Sequence, residues 1–409
     1  VIQGKVVEMH VAKRAFRVRY AIREILPYAE ELERKGIKVI RLNIGDPVPY
    51  GFQPPEYFRE ALKKAVDEGF NGYAPSTGLD ELKEEIAKKE RKYNGVEIRD
   101  PRNDILITQG LSEAIFTVIA ATAEEGDEVL LPGPAYPSYI AYTNFMGAKP
   151  VFYRNIEEEG WVPDLDDVRK KITDRTRLIV LINPNNPTGA VIREKYVKEM
   201  VNIAAEHEIP IVSDEIYDLI VFDGLKTPSA AAVAGEHPVI GFNGFSKVFL
   251  LTGWRLGYIY FYDPEDRMKE LREAITRIIR TRISANTVCQ RAAALALKKE
   301  QTHIKPLVEE LQRRRDIAYK LVKETDGLYS TKPEGAFYIF PRIEYRDAWK
   351  NDKEFVIDLL KTKHILMVHG SGFGQYGEWH FRSVLLADRE TLEEAFIRVG
   401  EFIKKRVRG

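Results

Sequence analysis

The stretch GFSKVFLLTGWRLGY, residues 244–258, sets an amine, Lys247, and a guanidinium, Arg255, inside an otherwise apolar run. Charged side chains are seldom buried without a partner, because an uncompensated charge in a low-dielectric interior is costly. A lysine in such a setting has its charged form disfavoured and becomes a nucleophile toward carbonyls near neutral pH. The planar fork of Arg255 suits a phosphate dianion, with an ion pair inside a sheet as the structural alternative. Two cations so placed require an anionic or electrophilic group nearby.

Further segments carry residue types that could complete such a site. In IPIVSDEIYD (209–218) an apolar run ends in Asp214, with Tyr217 three residues on. A carboxylate there persists only beside a cation or donor, unless it caps a following helix. VLINPNNPTGA (180–190) breaks from a buried run into a loop and places Asn186 past its end, where a neutral amide could donate to an oxyanion; the same composition also reads as a plain turn. In TQGLSEAI (108–115) the chain turns at Gly110 and a helix begins near Ser112, whose hydroxyl and neighbouring N–H groups could cradle a phosphate. An ordinary Ser cap followed by Glu113 is the alternative there. Tyr136, in PGPAYPSY, sits at another strand-to-helix junction and is either a site ring or a core aromatic.

The elements that must position these residues follow from the hydrophobic pattern. Between about residues 104 and 262, short apolar runs (DILITQG, DEVLLPG, RLIVLINP, IPIVSDEIY, PVIGFNGFS, RLGYIYF) alternate with amphipathic stretches such as REKYVKEMVNIAAEHE. That alternation predicts an α/β fold with a largely parallel central sheet, whose ligands bind beyond the carboxyl ends of the strands. A long helical stretch is predicted from about 264 to 300, and the last hundred residues predict a smaller α+β unit, with helices at 304–325 and at the C-terminus.

Composition narrows the function classes. The 62 basic and 62 acidic residues cancel, which argues against nucleic acid or an anionic membrane as the main partner. The terminal KKRVRG reads as a solvated helix end. Cys289 stands alone, so an internal disulfide and a thiol-based zinc site are excluded, no metal is expected, and a reducing cytoplasm fits. No apolar stretch reaches the roughly 20 residues of a membrane span. The opening VIQGKVVEMHVAKR lacks the apolar centre of a signal peptide, and whether Met9 is the natural start stays open.

Taken together, NNPTG (185–189), SDEIY (213–217) and SKVFLLTGWRLGY (246–258), with LNIGDP (42–47) before them and HFRSVLL (380–386) after, give the chain a resemblance to the class I aminotransferases, pyridoxal-phosphate enzymes of the aspartate aminotransferase fold. The resemblance covers the chain nearly end to end. It implies a large cofactor-binding domain at 46–295 and a discontinuous small domain from 1–45 with 296–409. It implies that Lys247 binds the cofactor covalently, that Asp214 keeps the pyridine nitrogen protonated, and that Tyr217 and Asn186 hydrogen-bond the phenolic oxygen. Arg255, Ser112, Ser246 and the amides of Gly110 and Leu111 would surround the phosphate, and Tyr136 would stack on the ring. Tyr73 would reach the phosphate of a neighbouring subunit's cofactor, which implies a homodimer with shared sites. Arg382, helped by Asn186 and the backbone at Gly45, would clamp the substrate carboxylate.

Substrate preference is the least determined property. Arg280 and Arg282, in RIIRTRISANTVCQ, are candidates for the arginine that binds a distal carboxylate from the partner subunit, whereas Phe337 and Tyr338 would suit small or aromatic side chains. Likeness to archaeal alanine aminotransferases favours transfer from L-alanine to 2-oxoglutarate by a ping-pong mechanism. Aspartate or aromatic amino acids are alternative donors. A carbon–sulfur β-lyase on the same scaffold and a ligand-sensing regulator are the alternatives of different reaction and class.

Overall fold

The computed structural model describes residues 9–408; the opening stretch through Glu8 and the terminal Gly409 lie outside the described residues. At its centre is an eight-stranded sheet of β1 (Ile105–Thr108), β2 (Glu128–Gly133), β3 (Lys149–Ile156), β4 (Val162–Pro163), β5 (Thr176–Ile182), β6 (Ile211–Asp214), β7 (Val239–Gly244) and β8 (Gly257–Tyr262), in the order β1-β8-β7-β6-β5-β2-β3-β4. Pairing from β7 across to β3 is parallel, while β8 runs antiparallel to both β7 and β1. From the β2/β5 boundary the strands advance in opposite directions, the arrangement that opens a crevice at the carboxyl ends.

The strands read as continuous apolar runs because both faces are covered. Along β5, Ile179 and Leu181 enter one buried cluster while Leu178, Val180 and Ile182 enter the other. Period-two alternation sends Val212 and Ile240 to the second cluster and Ile211 and Val239 to the first. Helices α1 (Glu56–Asp67) and α2 (Asp80–Asn94) cover the first face; α3 (Leu111–Thr122) and α4 (Pro137–Met146) cover the second.

The helix predicted over 264–300 is two helices, α5 (Lys269–Arg280) and α6 (Thr287–Leu297). The break falls where Ile283 takes a φ of 72°, a conformation no β-branched residue adopts inside a helix, and the side chain of Asn286 restarts the chain by accepting from the Cys289 N–H at 3.0 Å. Beyond it, α7 (Ile304–Glu324) leads to three short antiparallel strands, β9 (Tyr338–Ile339), β10 (Val368–His369) and β11 (Phe381–Val384), with β11 in the middle. Ile40–Arg41 pairs in parallel with Ile365–Leu366, so the N-terminal segment belongs structurally with the C-terminal hundred residues. Among the described residues no helix is long and apolar enough to cross a membrane.

Candidate active site

The carboxyl ends of β2, β5, β6 and β7, the amino end of β8 and the start of α3 converge on one cleft of about 500 Å³. Its walls include Gly45, Leu111, Ser112, Tyr136, Asn186, Asp214, Tyr217, Ser246, Lys247, Arg255, Tyr338 and Arg382, so residues more than three hundred positions apart in sequence line one space.

Asp214 closes β6 on the same face as Val212, so its side chain meets α4 rather than α2. No helix follows it, which removes the capping alternative. Its carboxylate instead accepts from the Tyr139 hydroxyl at 2.8 Å and the Ile216 N–H at 3.3 Å. Burial pushes its pKa up to about 6, against those donors and the nearby Lys247 cation. Tyr139 was not singled out in the sequence. It lies one helical turn beyond Tyr136, and that spacing was the only local signal.

Lys247 follows β7 and donates from Nζ to the Gly45 carbonyl at 2.6 Å. Burial, aided by the positive Arg382 and Arg255, lowers its pKa to about 8, while Asp46 and Asp214 oppose the shift. A substantial neutral fraction near physiological pH makes this amine a working nucleophile and base. Asp46 also fastens the loop from below, accepting from the Thr252 hydroxyl at 2.9 Å.

Arg255 is exposed to the cleft rather than buried, because it precedes β8 in a left-handed turn with φ 52°. Its Nη1 donates to the Thr252 carbonyl at 2.9 Å, and among the described residues no carboxylate pairs with it. Gly110, with φ 72°, caps α3 directly beside it; a Cβ on Gly110 would stand 2.5 Å from Arg255 Nη2. The cap of α3 is therefore Gly110 and not Ser112, which leaves the Ser112 hydroxyl in the cleft wall with the first N–H groups of the helix. A guanidinium, a hydroxyl and a helix N-terminus around a glycine-cleared space form a phosphate-sized cradle.

Arg382, on β11, is only 1% exposed, yet among the described residues no carboxylate pairs with its guanidinium. Nη1 donates to Asn186 Oδ1 at 3.0 Å and Nη2 to the Asn43 carbonyl, while Nε is buried without a partner. The plane lies over the rings of Tyr338 and Phe373, with centroids at 4.5 and 5.0 Å. A buried cation held by neutral groups alone is an anion site. With Asn186 Oδ1 occupied, the amide nitrogen of Asn186 is left as the donor.

Tyr217 is buried, its hydroxyl 2.7 Å from that of Tyr338. Burial first, and Tyr338 next, hold it well above the usual tyrosine range, so it acts as a neutral donor. Tyr136 stands at the start of α4, its hydroxyl 3.0 Å from that of Tyr20. The segment bearing Tyr20, Ile22 and Arg23 walls the opposite side of the cleft, and nothing local in its sequence marked it.

Three candidates lie elsewhere. Tyr73 is 81% exposed and does not line this chain's cleft. Arg282 is committed within its own chain, paired with Glu113 at 2.7 Å and donating to the carbonyls of Ser76 and Ile107. Arg280 is exposed at the end of α5.

The donor set fits pyridoxal 5′-phosphate: the Gly110–Arg255 cradle for the phosphate, Asp214 for the ring nitrogen, Tyr217 and Asn186 for the phenolic oxygen, and the Lys247 amine for the aldehyde. When bound, that group supplies an aldehyde to amino groups and a protonated ring that withdraws electrons from the adjoining carbon.

Comparisons with known proteins identify the family. An alanine aminotransferase from Pyrococcus furiosus superposes with a TM-score of 0.94 at 52% identity, covering 97% of this chain and 100% of the other. The aspartate aminotransferase of Thermus thermophilus with maleate superposes with a TM-score of 0.87 at 31% identity, over 96% and 100% of the two chains. Among curated sequences, the aromatic-amino-acid aminotransferase 2 of Thermococcus litoralis is 37% identical over 94% of this chain and 96% of its own. The glutamate-pyruvate aminotransferase AlaA of Escherichia coli is 36% identical over 94% and 96%. Residues 37–399 match the family model described as aminotransferase class I and II, and with them the chain belongs to that family, as a pyridoxal-phosphate-dependent aminotransferase.

Proposed function

We propose that this protein transfers the amino group of L-alanine to 2-oxoglutarate, in the cytoplasm, as a homodimer. The observation that carries the reading is Arg382, a buried guanidinium without a carboxylate, which shares a cleft with a lysine amine of pKa about 8. A 2-amino acid brings the missing carboxylate to Arg382, and the same contact presents its amine and α-carbon to Lys247. Tyr20, Ile22 and Tyr136 crowd the wall beside this position, which suits a methyl side chain. The similarity to the Pyrococcus furiosus alanine aminotransferase supports the same donor. For the acceptor, Arg23 at the rim supplies a second cation for a second carboxylate.

In this reading the Lys247 amine would accept the proton of the substrate α-carbon as general base and, once protonated, would serve as the general acid. Asp214 holds the ring-nitrogen proton, aligned by Tyr139. Arg255, Ser112, Ser246 and the Gly110 and Leu111 amides fix the phosphate. One Arg382 serves both substrates, so amino donor and oxo acceptor enter in turn and the kinetics are ping-pong. The exposed Tyr73 is assigned to the partner's site. The division into domains at 46–295 and 1–45 with 296–409 is supported by the pairing of Ile40–Arg41 with Ile365–Leu366.

The Thermococcus litoralis relative favours a second reading, aromatic donors received against the hydrogen-bonded pair of Tyr20 and Tyr136. A half-reaction screen decides: each amino acid is added alone to the yellow enzyme and loss of the visible band is timed. Alanine and glutamate should react fastest. Faster reaction with tyrosine, phenylalanine or aspartate would overturn the alanine assignment, and release of pyruvate and ammonia from a cysteine conjugate without an acceptor would replace it with a β-lyase.

A further inference from the structure

Asp214 and Glu215 are neighbours with different surroundings: Asp214 meets Tyr139, whereas Glu215 meets Ser213, Ser229 and Tyr260 and, through the charge of Glu90, borders a second buried polar system behind the cleft. Its ionic part is centred on Lys89 of α2. The Lys89 ammonium lies 2.5 Å from Asp218 Oδ2 and 3.1 Å from Glu90 Oε1, and all three side chains are at most 5% exposed. Burial pulls its pKa down, but Asp218 and Glu90 more than offset this and hold the amine above the usual lysine range.

The chain positions of its partners reveal what the cluster does. Asp218 directly follows Tyr217. Asp218 also accepts from Asn243 Nδ2 at 2.7 Å, while Asn243 Oδ1 accepts from the Gly244 N–H at 2.7 Å, just ahead of Ser246 and Lys247. Glu90 accepts from the hydroxyl of Tyr258, three residues past Arg255. Asn94 bridges Glu90 and Asp218. Each of the three strand-end segments that carry Tyr217, Lys247 and Arg255 into the cleft is thus fastened from behind to one buried ionic hub, and the hub contributes no atom to the cleft wall.

We infer that Lys89 is a positioning residue of the cofactor site, whose ammonium, through Asp218 and Glu90, fixes the relative placement of the segments bearing Tyr217, Lys247 and Arg255. The inference rests on the function proposed above. Without the ammonium the two carboxylates repel in a dry interior and must separate or admit water, and where Asp218 is neutralised as well the charge-assisted bonds from Lys89 that tie α2 to the Asp218 segment are still lost. Each of these changes moves the backbone of the segments the carboxylates hold.

The test compares Lys89→Met, Lys89→Arg and the double variant Lys89→Met/Asp218→Asn, which leaves the cluster's net charge unchanged and so guards against simple misfolding. Hydrogen exchange is measured on the cofactor-free full chain, and pyridoxal phosphate affinity by absorbance titration. Lys89→Met and the double variant should exchange faster at 215–220 and 243–257 than elsewhere and bind the cofactor at least tenfold more weakly. Lys89→Arg should recover part of both. The inference is overturned if exchange is unchanged or rises uniformly, or if affinity stays within twofold of the unaltered protein; should Lys89→Met not fold, the double variant decides by the same criteria. If the unaltered chain takes up no pyridoxal phosphate, it is the function proposal that fails, and the exchange pattern still decides the role of Lys89.

Discussion

The hydroxyl of Tyr338 lies 2.7 Å from that of Tyr217, and the same ring carries the guanidinium of Arg382 4.5 Å from its centroid. One side chain therefore touches both the tyrosine proposed to hold the cofactor and the arginine proposed to bind the substrate. Its position also explains Gly45, where a Cβ would meet the Tyr338 hydroxyl at 2.2 Å.

Removing that hydroxyl should break the contact with Tyr217 and leave the ring beside Arg382, without unfolding the chain. Tyr338→Phe is expected to lower kcat/KM for amino and oxo acids alike by roughly tenfold, the worth of a hydrogen bond of about 1–1.5 kcal/mol. Gly45→Ala should do at least as much by displacing the ring. Unaltered kinetics in Tyr338→Phe would show the 2.7 Å contact to be passive.

Lys247 and Asp214 should both cost stability in the cofactor-free protein. The Lys247 amine falls from 10.5 to about 8, so between those values the unfolded chain holds the extra proton; stability rises with pH there, and the full cost stands below pH 8. The Asp214 carboxyl rises from 3.8 to about 6, so stability falls as pH climbs through that window and the full cost stands above pH 6. At pH 7 each is worth about 3 kcal/mol. Lys247→Met and Asp214→Asn should therefore melt higher than the cofactor-free parent at pH 7, and the gain for Lys247→Met should fade toward pH 10. Turnover in Lys247→Met should drop by about 10²–10⁴ or more from the lost proton transfer alone. Melting curves at pH 7 and pH 10 that match the parent would contradict the environment described for these groups.

These cases also show what the sequence could and could not disclose. Lys247, inside an apolar run, and Asp214 and Asn186, at or just past the ends of two others, were legible because a polar group there requires a reason. Arg255 was legible as a cation but not in its exposure, since the left-handed turn that lifts it into the cleft leaves no pattern in residue type. Ser112 was open between cap and ligand until Gly110 proved to be the cap. The α5–α6 break was missed because the segment keeps helical amphipathicity across Ile283. Tyr139, Arg23 and the Lys89 hub act only through tertiary approach, from elements far away in the chain.

Tyr73 provides a test of assembly that needs no structure. If it serves the neighbouring subunit's site, Tyr73→Ala and Lys247→Ala should each be impaired alone, yet subunit exchange between them should restore activity. A mixed dimer pairs an intact Lys247 on one chain with an intact Tyr73 on the other, and so completes one site. Sedimentation should show a dimer throughout. An active monomer, or no recovery on mixing, would confine Tyr73 to its own chain.

Arg23 separates the two acceptor classes. A monocarboxylate such as pyruvate is satisfied by Arg382 alone, whereas 2-oxoglutarate carries a second carboxylate that must be desolvated or paired as the cleft closes over it. Arg23 is exposed at the rim, so its contribution is that of a surface ion pair, about 0.2–1 kcal/mol, growing as water is excluded. Arg23→Gln should therefore lower kcat/KM for 2-oxoglutarate and glutamate by about threefold to tenfold and leave alanine and pyruvate within about twofold. Raised salt should weaken the dicarboxylate preference of the parent enzyme and have little effect on the variant. Equal losses for both classes would mean that Arg23 shapes the wall of the cleft rather than reading charge, and the cation for the second carboxylate would then have to be sought on the partner subunit.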